Sequence, residues 1–200
     1  KHMSNKLIEY FSKFTTLSEE EKRVIEESMI IKSFQKDDFI RKEGQYNHDT
    51  FFVLEGLVRQ YKLVNGEEIT TNFFLEENWI ISLNSFSAES LSQDYLVCVE
   101  DTCVIIGNEL SAQQIFKKFP RFETISRAIM ETVFAEQQTF LTAFLTDTPE
   151  QRYLKLLQNK PSLFQRVPQY YIASYLGIKP ESLSRIRKRL SKKVYKVVIF

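Results

Sequence analysis

The sequence predicts an α+β fold: a strand-rich first half, one long helix, and a helical last quarter that ends in a helix-turn-helix. Three observations predict it. All five prolines (Pro120, Pro149, Pro161, Pro168, Pro180) lie at or after residue 120, whereas four of the five glycines (Gly44, Gly56, Gly66, Gly107) lie before it. Sheet interiors exclude proline, and tight turns between strands use glycine. Short runs rich in β-branched and aromatic residues fill the chain from Ile30 to Ile106, and a stretch free of Gly and Pro follows from Arg121 to Leu145. Two hundred residues suffice for one large domain or two small ones.

The elements follow in order. Lys1-His2-Met3 reads as a leftover cloning sequence ahead of a native start at Met3. A short helix is expected around Leu7–Phe14. A second is expected in "TTLSEEEKRVIEESM", where Thr or Ser can cap and acids fill the first turn. Strands are expected in "IIKSF", "DFIRKEG", "TFFVLEGLVRQYKLV", "EEITTNFFL", "NWIIS" and "DYLVCVEDTCVIIG". Asn65-Gly66 marks a hairpin between two of them. This spacing implies a barrel, roll or sandwich rather than βαβ units. A short helix over 111–119 stops at Pro120.

The helix after Pro120 carries two adjacent apolar stripes. One is Ile125, Ile129, Val133, Phe140 and Phe144; the other is Met130, Phe134, Leu141 and Leu145. Twenty-five helical residues span roughly 37 Å. That is more apolar face than one small β domain covers, so a second copy of the chain is the expected partner. Thr148-Pro149-Glu150 then starts a new helix, with Thr148 as cap and Pro149 in the first helical position.

Composition excludes several functions. The chain is 43% hydrophobic and 26% charged, as in ordinary soluble proteins. No apolar run is long enough to span a bilayer and no secretory signal is present, so a cytoplasmic location without membrane contact is expected. Cys98 and Cys103 lie at an odd offset within one strand-like run, which puts them on opposite faces, poorly placed to bridge. His48 is the one histidine outside the leading tripeptide, so a metal site or a Cys–His pair has almost no raw material, and no cofactor is predicted. Asp94 and Glu100 lack a histidine or metal partner. G-x-S-x-G and P-loop motifs are absent, so an enzyme is not expected.

Charge is unevenly distributed. Residues 150–200 hold twelve Lys and Arg against Glu150 and Glu181, a net of +10 in a chain whose total is +1. The remaining 149 residues therefore carry −9. Such a split argues that the last quarter meets a polyanion.

The stretch "YIASYLGIKPESLSRIRKRL" (171–190) gives the polyanion a geometry. Ala173 allows close approach of two short helices. Gly177, four residues on, supplies a turn with positive φ. Leu183, Ile186 and Leu190 fall on one face of the second helix, and together with Ala173 and Gly177 they form the helix-turn-helix core. The opposite face presents Glu181, Arg185 and Lys188, flanked by Ser182 and Ser184, as candidates to read base edges. Arg can bind guanine O6 and N7, and Glu can accept from cytosine N4. Arg187, Arg189, Lys192 and Lys193, with Gln169, are placed for phosphates.

"YLGIKPESLSRIRKRL" resembles the helix-turn-helix of the CRP/FNR family of bacterial transcription regulators. Glu181, Ser184 and Arg185 stand in the E-x-x-S-R arrangement of its FNR-like branch. "FFVLEGLVRQY" with "NGEE" resembles the family's β-roll, and "TPEQRYLKLLQNKPSLFQRVPQYYIASYLGI" is similar to members from Bacteroidetes-type bacteria. The resemblance implies an N-terminal double-stranded β-roll, like a cyclic-nucleotide-binding domain, then a long dimerisation helix and a C-terminal winged helix-turn-helix. The corresponding spans are a sensor domain with flanking helices over 4–120, the dimerisation helix or linker over 121–146, and a DNA-binding domain over 147–200.

The departures from the family are specific. Its cyclic-AMP site resembles G-E-L-x-L-F followed by R-S. Here Ile81-Ser82 stands where Gly-Glu should be, Gln93-Asp94 stands where Arg-Ser should be, and no arginine lies between Arg59 and Arg121. A phosphate site without Arg and beside Asp94 is electrostatically poor. An effector pocket is therefore expected around Trp79, Ser82, Asn84, Gln93 and Asp94, with cyclic AMP argued against and the effector unnamed. The end "SKKVYKVVIF" has no Gly or Pro for the family's two-stranded wing and is open to a single strand or a helix extension.

The leading expectation is a homodimeric regulator that binds palindromic double-stranded DNA. RNA polymerase enters as a partner only for an activator, and no residue pattern marks such a surface. The competing expectation is a sensor or adaptor that acts through protein contacts without DNA.

Overall fold

The structure is a computed structural model that describes residues 2–46, 48–81 and 91–197. Two helices open the chain, α1 (His2–Ser12) and α2 (Glu19–Ser28). Eight strands follow: β1 (Ile30–Phe34), β2 (Phe39–Arg41), β3 (Thr50–Glu55), β4 (Val58–Val64), β5 (Glu67–Phe74), β6 (Trp79–Ile80), β7 (Tyr95–Cys98) and β8 (Thr102–Gly107). The rest is helical: α3 (Glu109–Lys118), α4 (Arg121–Thr146), α5 (Pro149–Asn159), α6 (Leu163–Arg166), α7 (Gln169–Tyr175) and α8 (Pro180–Val197).

The strands form two four-stranded sheets, in the orders β1-β8-β3-β6 and β2-β7-β4-β5. Successive strands repeatedly change sheet, which is the winding of a β-roll. The α+β class with a β-roll ahead of a long helix and a helical end is as the sequence predicts. Asn65 (φ 53°) and Gly66 (φ 83°) form the β4–β5 turn, with both central residues left-handed, as a two-residue hairpin of the primed type requires.

Strand β3, "TFFVLE", shows how the roll is filled. Side chains alternate faces along a strand. Phe51 and Val53 join Val58, Phe74, Ile80, Leu96 and Val104 in one buried cluster. Phe52 and Leu54 join Cys103 and Ile105 in another, which Leu7, Ile8, Leu17, Ile25, Phe122, Ile125 and Ile129 complete from the helices. A strand covered on both faces must be apolar throughout, and this one nearly is.

The cysteines differ from the sequence expectation. "DYLVCVEDTCVIIG" is two strands broken at 99–101, with Cys98 in one sheet and Cys103 in the other. Asp101 makes the break without Gly or Pro: its Oδ1 accepts from the Lys36 amide at 2.9 Å. Thr102 Oγ1 also donates to the Glu100 carbonyl at 2.8 Å. Both thiols are free and buried, and burial pushes Cys98 up to about 11, so it stays protonated and unreactive at neutral pH.

Helix α4 is anchored at its start. Arg121 donates from Nε to Glu21 Oε1 at 2.6 Å and from Nη2 to Glu21 Oε2 at 2.5 Å. It also donates to the Thr16 carbonyl at 2.8 Å. Glu21 meanwhile closes the capping box with Ser18. The Arg121 hydrogen bonds hold its carboxyl below the usual carboxylate range.

The chain divides into two compact units, residues 1–62 with 72–136 and residues 63–71 with 137–200. Helix α4 contributes its first part to the first unit and its last ten residues to the second. Among the described residues no helix is long and apolar enough to cross a membrane.

Candidate nucleic-acid interface

The second unit is built around the α7–α8 hairpin. Helix α5 starts where the sequence places it: Thr148 and Gln151 form a capping box and Pro149 occupies the first turn. Its Tyr153 and Leu156 are buried. Helix α6, one turn long and not anticipated, buries Leu163 completely. Helix α7 contributes Ile172 and Ala173, both fully buried. The Ile178 amide donates to the Ala173 carbonyl at 3.0 Å. This bond closes the C-terminal end of α7 across the turn, with the Ala173 side chain wholly buried.

Gly177 makes the turn with φ 68°. A Cβ there would also lie 2.7 Å from Phe144 Cζ and 2.9 Å from Cε2. The backbone angle favours glycine, and a Cβ would oblige the tip of the 41% exposed Phe144 ring to shift. The sequence pattern assigns Phe144 to a dimer contact. Instead it packs on this turn, and Phe140 stacks on Tyr175 with centroids 4.9 Å apart. Ile125 and Ile129 lie in the first unit's core with Val133 packed against them. Of the stripe expected to face a second copy, Ile125 and Ile129 are buried, while Phe140 and Phe144 stay 36% and 41% exposed. The neighbouring stripe is more open: Phe134, Leu141 and Leu145 are exposed by 50%, 51% and 76%.

Arg152 holds the unit together. Its Nε and Nη2 donate to the Leu176 carbonyl at 3.1 and 2.9 Å, and Nη1 donates to the Asp147 carbonyl at 2.7 Å. The guanidinium lies over the Phe144 ring at 4.8 Å. One side chain thereby joins the end of α4, the start of α5 and the C-terminus of α7. By charge alone Arg152 belongs with the residues directed at a polyanion; its hydrogen bonds make it a scaffold residue. Ser174 plays a related part in α7. Its hydroxyl accepts from the Thr70 amide at 2.9 Å and donates to the Glu68 carbonyl at 3.4 Å, fixing the β4–β5 tip within this unit.

Helix α8 has one buried and one open face. Leu183 is 1% exposed and Ile186 6%. Glu181, Ser184, Arg185 and Lys188 are exposed, as is Lys192, while Ser182 is half-buried. Arg185 Nε makes a long contact of 3.4 Å with the Glu181 carbonyl one turn back, which leaves its guanidinium end outward on the same face as Glu181. The expected base-reading set is therefore gathered on one side of α8, apart from Ser182 at its margin. Of the Lys193 side chain nothing is described.

The expected phosphate set is more heterogeneous. Arg187 Nη1 donates to Gln169 Oε1 at 2.7 Å. Arg189 pairs with Glu150. Lys155 pairs with Asp147 at 2.6 Å. Beside these residues a groove of about 870 Å³ runs between α5 and α8, floored by Leu154, Leu157 and Leu183 and rimmed by Arg187 and Lys188. No wing follows among the described residues, because α8 continues as helix to Val197.

Of the expected effector residues, Trp79, Gln93 and Asp94 lie within the described residues. Ser82 and Asn84 lie outside the described residues. Trp79 packs among Tyr10, Phe11 and Phe52 in the core under the helices. Gln93 is exposed, and Asp94 accepts from Gln60 Nε2 at 3.0 Å. Two residues that sequence reasoning passed over lie in the same sheet. Arg41 is 5% exposed and Arg59 1%. Arg41 Nε donates to Ser92 Oγ at 3.2 Å, and burial lowers its pKa against the pull of Asp94 and Asp49. Arg59 lies over the Tyr61 ring at 4.5 Å. The period-two pattern in "LVRQY" gives a signal for Arg59, placing it on the face of Leu57 and Tyr61; nothing local marks Arg41. Among the described residues no cluster of His, Cys, Asp or Glu is suited to a metal ion.

No family model matches the chain, and no curated protein matches it significantly. Solved structures do. FixK2 from Bradyrhizobium japonicum aligns with 82% of this chain and 85% of its own, at 18% identity and a TM-score of 0.69. The c-di-GMP-responsive global regulator CLP of Xanthomonas campestris aligns with 88% and 93%, at 15% identity and a TM-score of 0.67. A protein from Eubacterium rectale assigned to the CRP/FNR family of transcriptional regulators aligns with 92% and 88%, at 18% identity and a TM-score of 0.66. At these identities the likeness establishes the fold, that of the CRP/FNR-type regulators.

Proposed function

We propose that this chain is a sequence-specific DNA-binding transcription regulator that acts as a homodimer. The observation that carries the proposal is the open face of α8. Glu181, Arg185, Lys188 and Lys192 are exposed along it, while Leu183 and Ile186 fix the opposite face in the unit's core. A helix so held projects hydrogen-bonding side chains into the major groove, and the basic residues further along it meet the backbone. Two copies would read half-sites about one helical turn apart, which is a palindrome. The dimer contact is assigned to Phe134, Leu141 and Leu145, whose exposure leaves an apolar stripe on α4 for a second α4 to cover.

The β-roll would carry the response to an effector. Cyclic AMP is not proposed. The buried Arg41 is already bonded to Ser92 and faces Asp94 and Asp49. A cyclic phosphate placed there would compete with carboxylates for the same guanidinium.

Lys192→Ala tests the phosphate-facing part of the face. Duplexes of any sequence are expected to bind it more weakly by a similar factor. In fluorescence anisotropy over a salt series, the slope of log K against log salt is expected to become shallower by about 0.9 per protomer. A loss confined to one duplex sequence would contradict the assignment.

A further inference from the structure

The groove between α5 and α8 is an apolar surface that the DNA-binding reading leaves without a role. On α5, Leu154 and Leu157 each follow a buried residue, Tyr153 and Leu156. A turn of roughly 100° per residue sets them at the margin of the buried face, where they remain 43% and 39% exposed. On α8 the lining residues run from Pro180 to Ser191, roughly 16 Å along the helix. Leu183 and the half-buried Leu190 continue the apolar floor. A trough of that length, with two leucines of successive turns open to solvent, suits a segment of chain better than a compact metabolite.

The rim carries one sign of charge. Among the described residues Arg187 and Lys188 line it and no carboxylate does. The two acids of the last fifty-one residues, Glu150 and Glu181, lie outside the lining. Arg187 donates to the neutral amide of Gln169 at 2.7 Å, which orients the guanidinium without opposing its charge. It lies roughly 130° around α8 from the open face, on the side of Leu183. Charge complementarity therefore selects an acidic partner for the groove. Lys188 and Ser184 belong both to the groove and to the open face, so a partner seated there occupies two members of the base-reading set.

We infer that the groove docks an acidic amphipathic helix of a second protein. Its apolar side chains cover Leu154 and Leu157, and its carboxylates meet Arg187 and Lys188, as a helix lies in a groove through anchors one turn apart. Docking there excludes DNA, because Lys188 and Ser184 serve both. The exclusion rests on the DNA-binding reading; the docking does not.

The probe is a labelled synthetic peptide of about sixteen residues, above the length at which an isolated helix is marginal. It carries leucines at i, i+3 and i+7 with glutamates beside them. Its affinity for the 200-residue chain is read by fluorescence anisotropy. It is expected to bind at least about tenfold tighter than the same peptide with lysines for glutamates or with its leucines spread around the helix. Leu154→Ser and Leu157→Ser are each expected to weaken it about fivefold or more, the range of a central apolar anchor, with the chain's helical circular dichroism kept. Arg187→Ala is expected to weaken it and to flatten its salt dependence. No saturable binding, equal affinity for the lysine peptide, or binding unchanged by both leucine substitutions overturns the inference. A change of oligomeric state in the leucine variants overturns it too, by giving the groove to a second copy. So does binding gained only when residues 198–200 are removed, which gives it to the chain's own end. For the exclusion, the peptide is expected to displace a labelled duplex, and simultaneous binding of both overturns it. A chain that binds the peptide and no duplex refutes the DNA reading and leaves the docking standing.

Discussion

Arg185→Ala is expected to bind its preferred duplex weaker by about 1–3 kcal/mol, roughly five- to 150-fold, and to lose discrimination at one guanine in each half-site. The residue is exposed on the face it shares with Glu181, so its removal leaves no buried partner unpaired and the fold intact. Non-specific affinity should fall only by the share of one positive charge. Arg185→Lys should recover that share but not the discrimination, because an ammonium cannot span O6 and N7 as a planar fork does. Competition against duplexes altered one base pair at a time separates these outcomes. An unchanged preferred site in Arg185→Ala would remove Arg185 from the base-reading set.

Gly177→Ala is expected to have the largest effect on stability. The left-handed backbone costs an L-residue about 1–2 kcal/mol. The new Cβ would also meet the tip of the Phe144 ring at 2.7 Å; that residue is 41% exposed, so the ring can turn aside and the steric part adds at most about 1 kcal/mol, the lower end for an overpacked core. The two terms together are comparable with a third of a small domain's total stability. The thermal midpoint of the unit that holds α5–α8 should fall by several degrees or more, and specific DNA affinity should fall with it. Phe144→Ala in the same chain should relieve the steric part and leave the backbone part. A Gly177→Ala protein as stable as wild type would contradict the packing described for Phe144.

Both substitutions sit in a motif that is legible in the residue pattern alone, and the reason is physical. Asn65-Gly66, Thr148-Pro149 and Gly177 act through backbone angles and local hydrogen bonds, so a few neighbouring residues suffice to mark them. The eight strands are legible as six runs, two of which split: "TFFVLEGLVRQYKLV" at Gly56-Leu57, and "DYLVCVEDTCVIIG" at 99–101, where Asp101 accepts from the Lys36 amide. What spacing does not supply is the choice of partner. Ile125 and Ile129 have the pattern of a dimer stripe, yet the core takes them. Arg152, Lys155 and Arg189 have the charge of DNA contacts, yet carbonyls, Asp147 and Glu150 hold them. The net charge of +10 already sets Glu150 against one of these cations, and the cations exposed on α8's open face are those the helix holds toward solvent. In the β-roll the effector residues are the least legible. Trp79 lies in the core and Gln93 is exposed, and the buried Arg41 and Arg59 lie far in sequence from Asp94.

If α8 reads DNA sequence from two copies of the chain, selection of the 200-residue protein against a pool of random duplexes enriches a palindrome. Its half-sites are expected about one helical turn apart, each with a guanine that Arg185→Ala no longer selects. Enrichment of no common sequence, with duplex binding that salt alone governs or none at all, would contradict it and favour a module that acts through protein contacts.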